Sequence, residues 1–401
     1  MAYENGFTYC AITIAAEVTL IQQFLELGSF KYKAIGRNQP KNAFFLWIFT
    51  VCSWKSEIKM SKVEDLSVVR VNSAVEGTTG SRVWMVRWNY SGTLLASCGD
   101  DKTVRIWKKV PNKPYLECCT SLDDSHSRTV RCVEFSHCGR YLASGSFDAT
   151  IVIYSLHDGE FSESNKLEGH ESEVKCCAFS PNDEFLATCS RDKSVWVWQL
   201  DEDEDFQLDS LLLQHTQDVK FVAWHPSGEV LVSCSYDYSV VFYKYDGEDW
   251  ITQQKIPDAH NGTVWCATFD SEGERFITVG EDRVVQLWKR CSPNEPVSND
   301  KWRSVAKYVV EESQLPLYTV SWHTATGLIA TGGGDGMIRF FRIEGHGDDE
   351  HLVQISTIDT DGNEVNCVAW SPVTTLEESS DKWLLASCFD DGTIRLFGVN
   401  L

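Results

Sequence analysis

Histidine, hydroxyl and aspartate residues recur in this 401-residue chain at a spacing that could serve acid–base chemistry. His170, Thr188 and Asp192 have the residue types of a hydrolase triad, in which a carboxylate orients an imidazole that activates a hydroxyl. The same set returns as His126/Ser144/Asp148, His215/Ser233/Asp237 and His260/Thr278/Asp282. A hydrolase uses one such site, whereas a structural network repeats with the strands that carry it. The repetition therefore favours a structural role over catalysis.

A longer repeat contains these sets. Seven segments begin with Asp and end six residues later in an aromatic residue, with small and β-branched residues common between them. These segments are Asp101–Trp107, Asp148–Tyr154, Asp192–Trp198, Asp237–Tyr243, Asp282–Trp288, Asp335–Phe341 and Asp391–Phe397. Their Asp residues lie 47, 44, 45, 45, 53 and 56 positions apart. That spacing fits one four-stranded blade of about 40–45 residues per repeat, with insertions in the last two.

Each repeat also has a Ser or Thr four residues before its Asp, and together these residues match the WD-repeat tetrad. In that network Asp accepts from one imidazole nitrogen, the other nitrogen meets the hydroxyl, and the hydroxyl meets an indole N–H, so every buried polar group is paired. Two tetrads are complete by residue type, His170/Thr188/Asp192/Trp198 and His260/Thr278/Asp282/Trp288. Tyr replaces Trp in repeats two and four, and the His position of repeats one, six and seven holds Thr79, Ser313 and Asp361.

The repeats predict an all-β fold, a seven-bladed WD40 β-propeller over residues 61–401. The last repeat ends with its third strand at Thr393–Phe397, and the only spare strand is Leu66–Val71, ahead of the first repeat. We therefore expect this N-terminal strand to pair with the last blade and close the ring, which removes exposed sheet edges.

Residues 1–60 contain no repeat and are predicted to be an N-terminal extension, either disordered or the product of an extended gene model whose authentic start is Met60. A packed or partner-binding helix over Cys10–Leu27 is a second interpretation. A targeting or membrane role is a third, although the most apolar run, Ala43–Cys52, has about half of the ~20 residues that span a bilayer.

Composition restricts the class of ligand and the compartment. The formal net charge of -22 repels nucleic-acid phosphates, so no nucleic-acid partner is expected. Fifteen cysteines and no convincing secretory signal indicate a reduced protein of the cytoplasm, with the nucleus as a second compartment. No metal, cofactor, membrane or small-molecule substrate is expected, and cysteines at two recurring positions interchange with Gly and Val as core residues do.

The acidic run Asp201–Asp205 is predicted to be a solvated outer loop, with a charged partner contact as the alternative.

Three positions of each blade should face one mouth of the central channel: the third and fifth residues after the His position, and the residue before the repeat Asp. They supply five cations, Arg82, Arg131, Lys175, Arg191 and Lys220, and five aromatic residues, Trp84, Phe147, Tyr236, Trp265 and Tyr318. Arg, Trp and Tyr are enriched in binding hot spots. On so acidic a chain this mouth predicts an acidic or carboxylate-bearing partner, with Arg191 as the foremost contact because Arg can bind a carboxylate bidentately. Ordinary solvated charges, or a phosphate or nucleic-acid ligand, are the alternatives.

Four strings are more specific than the WD repeat itself: SFDAT (Ser146–Thr150), LEGHESEVK (Leu167–Lys175), LATCSRDKSVWVW (Leu186–Trp198) and HTQDVK (His215–Lys220). They closely resemble the WD-repeat subunit of the cytosolic iron–sulfur protein assembly (CIA) machinery, and the resemblance covers nearly all of residues 62–401. It implies a non-catalytic scaffold that joins a small partner bearing a reactive cysteine and a large helical-repeat adaptor. The complex would recruit apoprotein clients for cluster insertion into cytosolic and nuclear proteins. The family's conserved mouth arginine falls on Arg191.

Two features depart from that family. Phe242-Tyr243-Lys244 stands where animal members can carry a Leu-Tyr-Arg tripeptide thought to recruit a cochaperone, which puts that contact in doubt. Residues 1–60 have no counterpart at the family's usual start.

A generic WD-repeat adaptor, such as a ubiquitin-ligase substrate receptor or a chromatin-complex subunit, is the alternative function. It would share the mouth but would not need the four specific strings. An enzyme is not expected, because the chain has no Gly-rich phosphate loop and no nucleophile–base pair outside the tetrads.

Overall fold

The structure is a computed structural model that describes residues 62–70, 80–109, 116–292, 294–374 and 382–400. Its strands form seven four-stranded antiparallel sheets, called blades 1 to 7 below, so the predicted seven-bladed propeller is confirmed. The prediction for residues 1–60 lies outside the described residues, as does Thr79. None of the described residues forms a helix with the length and apolar character that crossing a bilayer requires.

The strands follow one another blade by blade. Blade 1 contains β2 (Val83–Trp88), β3 (Leu94–Gly99), β4 (Val104–Lys109) and β5 (Leu116–Leu122); blade 2 contains β6 (Val130–Phe135), β7 (Tyr141–Ser146), β8 (Ile151–His157) and β9 (Glu160–Leu167); blade 3 contains β10 (Val174–Phe179), β11 (Phe185–Ser190), β12 (Val195–Leu200) and β13 (Phe206–Leu212). Blade 4 contains β14 (Val219–Trp224), β15 (Val230–Ser235), β16 (Val240–Tyr245) and β17 (Trp250–Ile256); blade 5 contains β18 (Val264–Phe269), β19 (Arg275–Gly280), β20 (Val284–Arg290) and β21 (Trp302–Val309). Blade 6 contains β22 (Leu317–Trp322), β23 (Ile329–Gly333), β24 (Met337–Glu344) and β25 (His351–Asp359); blade 7 contains β26 (Val365–Thr374), β27 (Lys382–Phe389), β28 (Thr393–Asn400) and β1 (Lys62–Arg70). A short 3-10 turn, Val297–Asn299, precedes β21.

The N-terminal strand closes the ring as predicted. β1 pairs antiparallel with β28, from Lys62 opposite Asn400 to Arg70 opposite Thr393. β1 begins four residues before the predicted segment and β28 ends three residues after it, and their pairing contains a register shift between Asp65 and Ser67. Blade 7 is therefore built from both ends of the repeat region.

The turn that carries the repeat Asp has one backbone shape in all seven blades. The residue after the Asp has a positive φ, with values of 69° at Lys102, 70° at Ala149, 76° at Lys193, 70° at Tyr238, 64° at Arg283, 71° at Gly336 and 80° at Gly392. Glycine adopts this region freely, whereas another residue held there costs on the order of 1 kcal/mol. In blades 1 to 5 the contacts around the Asp must therefore stabilise a strained turn.

Cysteines of the two recurring positions lie in the core. Burial raises the pKa of Cys189 and Cys234, as expected for neutral thiols among apolar side chains. Three thiols on innermost strands contact a backbone carbonyl of the following blade: Cys176 on Val222, Cys266 on Val320 and Cys367 on Val86, at 3.8, 3.7 and 3.5 Å. Among the described residues, no three His, Cys, Asp or Glu side chains converge as a metal site would require.

Candidate binding surface at the mouth of the propeller

A hydrogen-bonded tetrad holds the turn of blade 3 beside the mouth. His170 Nδ1 lies 2.7 Å from Asp192 Oδ2, and His170 Nε2 lies 2.9 Å from Thr188 Oγ1. The same hydroxyl accepts from Trp198 Nε1 at 3.0 Å. Blade 5 has the same order, with 2.8 Å for His260–Asp282, 2.7 Å for His260–Thr278 and 2.9 Å for Trp288–Thr278. The network ties the second and third strands to the loop entering the blade, and so fixes the turn that carries Arg191.

Blades 2 and 4 contain the same network with a weaker last bond. Their imidazoles meet the hydroxyls closely, His126 on Ser144 at 2.7 Å and His215 on Ser233 at 2.6 Å. The Tyr154 and Tyr243 hydroxyls lie 3.4 Å from those serines, which is long for a hydrogen bond between hydroxyls. Tyr therefore preserves the packing of the Trp position and only part of its polar contact.

Blades 1, 6 and 7 hold the repeat Asp with arginine. Each Arg stands four residues after its Asp and donates to it: Arg105 to Asp101 at 2.6 Å, Arg339 to Asp335 at 2.6 Å and Arg395 to Asp391 at 3.4 Å. Blades 2 to 5 have Val152, Trp196, Val241 and Gln286 at that position. This pairing was not predicted, although the coincidence of an Arg with a missing His is visible in the sequence.

The repeat carboxylates of blades 2 to 5 stay ionised at neutral pH. Burial alone would raise the pKa of Asp192, but hydrogen bonds from His170 and Ser194 outweigh burial and hold that pKa far below its usual value. The same balance, with His126 and His215 as donors, lowers the pKa of Asp148 and Asp237. These groups therefore act as fixed acceptors.

A β-bulge lies at the second residue of every innermost strand. In blade 3 the register shifts between Val174 and Cys176, which leaves Lys175 without a partner opposite it. A bulge bends the strand and redirects the extra side chain. The bulged residues are Trp84, Arg131, Lys175, Lys220, Trp265, Tyr318 and Asn366, all of them expected mouth positions.

Two arginines flank the Trp84 ring at the start of the mouth. The guanidinium carbons of Arg82 and Arg131 lie 4.6 and 4.8 Å from its centroid, within the range of cation–π contacts. Arg82 also forms an ion pair with Asp390 of blade 7 at 2.6 Å. Within the described part of the chain, Arg131 forms no ion pair, so its charge is available to a ligand.

Phe147 and Lys175 continue the surface into blade 3. Lys175 Nζ lies 4.1 Å from the Phe147 centroid, and the Phe147 and Trp84 rings are 6.5 Å apart. Burial lowers the pKa of Lys175 to about 8, and the positive charge of Lys220 adds to the shift. Arg128 was not predicted for this surface, yet its guanidinium lies 5.9 Å from the Phe147 centroid. It stands two residues after His126, a position not counted among the mouth positions.

Arg191 is the most exposed of the five predicted cations: 58% of its side chain is accessible, whereas the other four are half-buried. It lies 3.3 Å from Glu173, which Arg128 approaches from blade 2 at 3.4 Å. A hydrogen bond from Ser172, with further help from the Lys175 and Arg191 charges, lowers the pKa of Glu173 to about 2. One carboxylate is thus shared between two exposed guanidinium groups at long distances, and both retain free donors.

Lys220 and three aromatic residues extend the surface to blade 6. Lys220 Nζ lies 5.3 Å from the Tyr236 centroid and 5.2 Å from that of Trp265, and it pairs with Asp218 at 3.2 Å. Trp265 and Tyr318 meet edge to face with centroids 5.4 Å apart. Neighbouring contacts therefore link the predicted mouth residues within two groups, one in blades 1 to 3 and one in blades 4 to 6.

The two sides of the mouth differ in the charges of their side chains. The mouth positions of blades 1 to 4 contain all five predicted cations together with Asp100, Glu173 and Asp218. Those of blades 5 to 7 contain Glu281, Glu364 and Asp390 and no Lys or Arg. Burial and the Asp390 charge raise the pKa of Glu364, as expected where carboxylates face one another. An acidic ligand would therefore be attracted to blades 1 to 4.

The tripeptide Phe242-Tyr243-Lys244 lies on β16, the third strand of blade 4. Phe242 and Tyr243 are fully buried, and the Phe242 ring stacks on Trp302 with centroids 5.5 Å apart. Lys244 Nζ donates to Asn299 Oδ1 at 3.1 Å. Of the three side chains, only that of Lys244 is partly exposed, so a partner at this edge would meet a lysine.

Comparisons with known proteins agree with this architecture. The family model "WD domain, G-beta repeat" matches residues 70–108, 116–155, 161–199, 207–244, 251–289 and 352–397. The first three strands of blade 6 lie outside these segments, in keeping with the Ser and Phe that replace its tetrad His and Trp.

Curated relatives match nearly their whole length. A Caenorhabditis elegans protein named "Probable cytosolic iron-sulfur protein assembly protein CIAO1 homolog" is 54% identical over 325 residues, 80% of this chain and 95% of the relative. The Culex quinquefasciatus protein "Probable cytosolic iron-sulfur protein assembly protein Ciao1" is 38% identical, covering 79% and 94%. A Scheffersomyces stipitis protein, "Probable cytosolic iron-sulfur protein assembly protein 1", is 32% identical, covering 79% and 96%. The chain therefore belongs to the WD-repeat family of cytosolic iron–sulfur protein assembly proteins.

Proposed function

We propose that this protein is a non-catalytic scaffold of the CIA machinery that binds acidic or carboxylate-bearing segments of its partners at the mouth of blades 1 to 4. The observation that carries the proposal is a set of four mouth cations that lie against aromatic rings: Arg82, Arg131, Lys175 and Lys220. This set stands on a chain whose formal net charge is -22. A local positive surface on an acidic protein selects partners by charge.

The contacts at blades 2 and 3 make this region the centre of the proposed site. Arg131 and Lys175 lie against aromatic rings, without an ion pair to another described residue. Arg128 and Arg191 share Glu173 at 3.3 Å or more. A partner carboxylate can therefore gain a bidentate contact with Arg191 while Glu173 keeps its bond from Ser172. The adjacent rings offer apolar contact area around that charge.

The partners and cargo follow from the family. They are the small subunit with a reactive cysteine, the large helical-repeat adaptor and apo iron–sulfur proteins, which receive their clusters as cargo of the complex. The protein would work in the cytosol, the compartment in the relatives' names; those names do not support the nucleus as a second site.

A scaffold without catalysis agrees with the state of the polar groups. In the complete tetrads, imidazole, hydroxyl and carboxylate engage one another and the indole N–H, and the carboxylates remain ionised. No buried member of these sets is left free to act as a base toward a substrate. The rigid ring then serves to present side chains to partners.

Affinity purification of the full chain tests the proposal, comparing wild type with Arg191→Glu. We expect the wild type to recover the cysteine-bearing subunit and apo iron–sulfur enzymes, and the variant to recover at least tenfold less. Lys193→Glu is the matched control, because it makes the same charge change on the same exposed turn, two residues from Arg191. It should leave recovery nearly unchanged.

Two results would reject the proposal. Recovery of only ubiquitin-ligase subunits or histones by the wild type would favour the generic adaptor. An equal loss in both variants would show that the general charge of the turn, and not the Arg191 contact, controls binding.

A further inference from the structure

The outer strand of blade 3 and the residue that follows it expose an apolar surface. Leu208, Leu211 and Leu213 have 48%, 46% and 65% of their surface accessible. The outer strands of blades 1, 2 and 6 expose no large apolar residue to this degree, and those of blades 4 and 5 expose one each, Ile251 and Val309. Three clustered leucines at one edge exceed the scattered apolar residues normal for a surface.

The repeat supplies an internal comparison for each of these positions. Leu208 pairs with the tetrad Trp198 across the strands. The residues paired with the equivalent aromatic position of blades 1, 2, 4, 5 and 6 are Cys118, Glu163, Thr252, Ser304 and Gln354. Leu211 pairs with Trp196, and the equivalent residues in those blades are Ser121, Lys166, Lys255, Lys307 and Thr357. Packing of the blade therefore does not require leucine at either position.

Blades 2 and 4 have a lysine at the position of Leu211, and the contact of that lysine is absent from blade 3. Lys166 and Lys255 donate to the carbonyls of Ser125 and Gln214, each directly before a tetrad His. In blade 3 the half-exposed Trp196 ring covers this loop instead, with its centroid 5.0 Å from that of His170. Trp196 and Leu211 are cross-strand neighbours, so the apolar surface continues from the edge strand onto the blade.

The surroundings of this surface are strongly acidic. Asp201–Asp205 forms an ordered turn before β13, in which Asp201 accepts from the amides of Asp203 and Asp205 at 2.9 Å. Arg140 of blade 2 pairs with Glu204, but Asp201, Glu202 and Asp203 form no ion pair within the described ranges. On β13 itself, Asp209 Oδ2 is buried and has no hydrogen-bond partner among the described residues. Uncompensated negative charge thus lies at the end of β13 that is nearest to Leu208.

We infer that Leu208, Leu211, Leu213 and Trp196 form a docking surface for a segment of another assembly component that carries large apolar side chains flanked by Lys or Arg. The inference rests on the proposed function for the class of partner. Charge complementarity selects this occupant, since the basic flanks would neutralise Asp201–Asp205 while the apolar side chains cover the leucines. A second copy of this chain would instead bring the same acidic turn near itself, on a molecule of net charge -22.

Site-specific photocrosslinking in cells of the source organism tests the inference on the full chain. p-Benzoylphenylalanine replaces Leu211 in one variant and Lys255, its equivalent in blade 4, in the control. We expect the probe at 211 to give a cross-linked peptide with two or more large apolar residues and a Lys or Arg within about four positions. The control should not give that peptide. A cross-link to a second copy, a peptide without basic residues, or no cross-link above the control overturns the inference.

Residues taken from blade 2 provide a second, independent readout. The variant Leu208→Glu/Leu211→Lys introduces Glu163 and Lys166 of blade 2 at their equivalent positions, so the strand remains compatible with the fold. We expect at least tenfold less recovery of the cross-linked protein, whereas Thr252→Glu, the equivalent change in blade 4, should have less than a twofold effect. Undiminished recovery by the double variant overturns the inference.

The outcomes separate this inference from the proposed function. If Arg191→Glu has no effect but the edge variant loses the cross-linked protein, the mouth proposal fails and the edge surface stands. If Arg191→Glu releases the assembly components while the edge variant retains them, the reverse holds.

Discussion

Blades 2 to 5 and blades 6, 7 and 1 form two continuous arcs that hold the same turn by different chemistry. In the first arc a His lies between the repeat Asp and a hydroxyl. In the second arc an Arg donates to the Asp. The hydroxyls of the second arc differ from one another. Thr331 Oγ1 is buried without a hydrogen-bond partner among the described residues, and Ser387 Oγ donates to the Cys367 carbonyl. Ser97 Oγ of blade 1 still accepts from Trp107 Nε1 at 2.8 Å.

The difference shows which requirement the seven blades share. All seven need an acceptor at the turn and a residue in the left-handed region after it, and blades 6 and 7 reduce the strain with Gly336 and Gly392. The arginine also replaces the His as the link to the loop entering the blade, since Arg339 contacts Glu312 and Arg395 donates to the Thr360 carbonyl. The charged arginine thus replaces the imidazole as donor to the repeat Asp, but it does not connect the Ser or Thr hydroxyl to that Asp.

The largest loss of stability should follow removal of the Asp from blade 6. Asp335→Ala leaves the almost fully buried Arg339 with only the exposed Glu312 as a carboxylate partner. We expect a loss of about 3–5 kcal/mol in the free energy of unfolding, because an uncompensated buried charge is costly. Urea denaturation measures it. Arg339→Met should cost less, since Asp335 keeps the Met337 amide as a donor. Equal losses would show that burial of the Arg charge is not the dominant factor.

Removing the tetrad hydroxyl should separate the arcs most clearly. Thr188→Val in blade 3 leaves His170 Nε2 and Trp198 Nε1 without a partner, so we expect a loss of about 2–3 kcal/mol. Thr331→Val in blade 6 removes a buried hydroxyl that has no hydrogen-bond partner in the described part of the chain. It should change stability by less than about 0.5 kcal/mol or raise it. Thermal unfolding of the pair provides the comparison, and a similar loss in both would mean that Thr331 has an unrecognised polar contact.

An arginine four residues after the repeat Asp should also be able to replace the His in the first arc. His215→Ser in blade 4 removes the donor to Asp237 and the partner of Ser233, with an expected loss of about 1–2 kcal/mol. Adding Val241→Arg places an arginine four residues after Asp237, as in blades 1, 6 and 7. We expect it to recover about half of that loss. No recovery in urea denaturation would show that the second arc depends on further features of its loops.

Low pH should lower the stability of the first arc because it protonates the repeat carboxylates. A carboxyl whose pKa is depressed in the folded state contributes stability above the unfolded pKa of about 4, and this stability is lost as pH falls below it. The pKa of Asp192 is lowered in this way, so Asp192→Asn removes one such group. Between pH 7 and pH 3 we expect the variant to lose about 1 kcal/mol less than wild type. Parallel pH profiles of unfolding free energy would contradict this assignment.

Much of this architecture could be predicted because its causes are local or repeat along the chain. The seven Asp-to-aromatic segments, the hydroxyl four residues earlier and the spare strand ahead of the first repeat predict the blade number and the closure. The ten mouth residues were assigned by their distance from the tetrad positions, and their role in binding stays a prediction. Arg128 and Glu173 were not recognised as partners of one another and of Arg191, because that contact joins two blades.

The sequence by itself determined the repeat, the strand periodicity and the residue types at each mouth position, since these depend on near neighbours in the chain. Tertiary structure decided what those residues meet. Only closure of the ring places Arg82 of blade 1 beside Asp390 of blade 7, and only pairing of the outer strand leaves Leu208 and Leu211 exposed. The physical reason is that ion pairing and exposure depend on distances between blades, and residues remote in sequence set those distances.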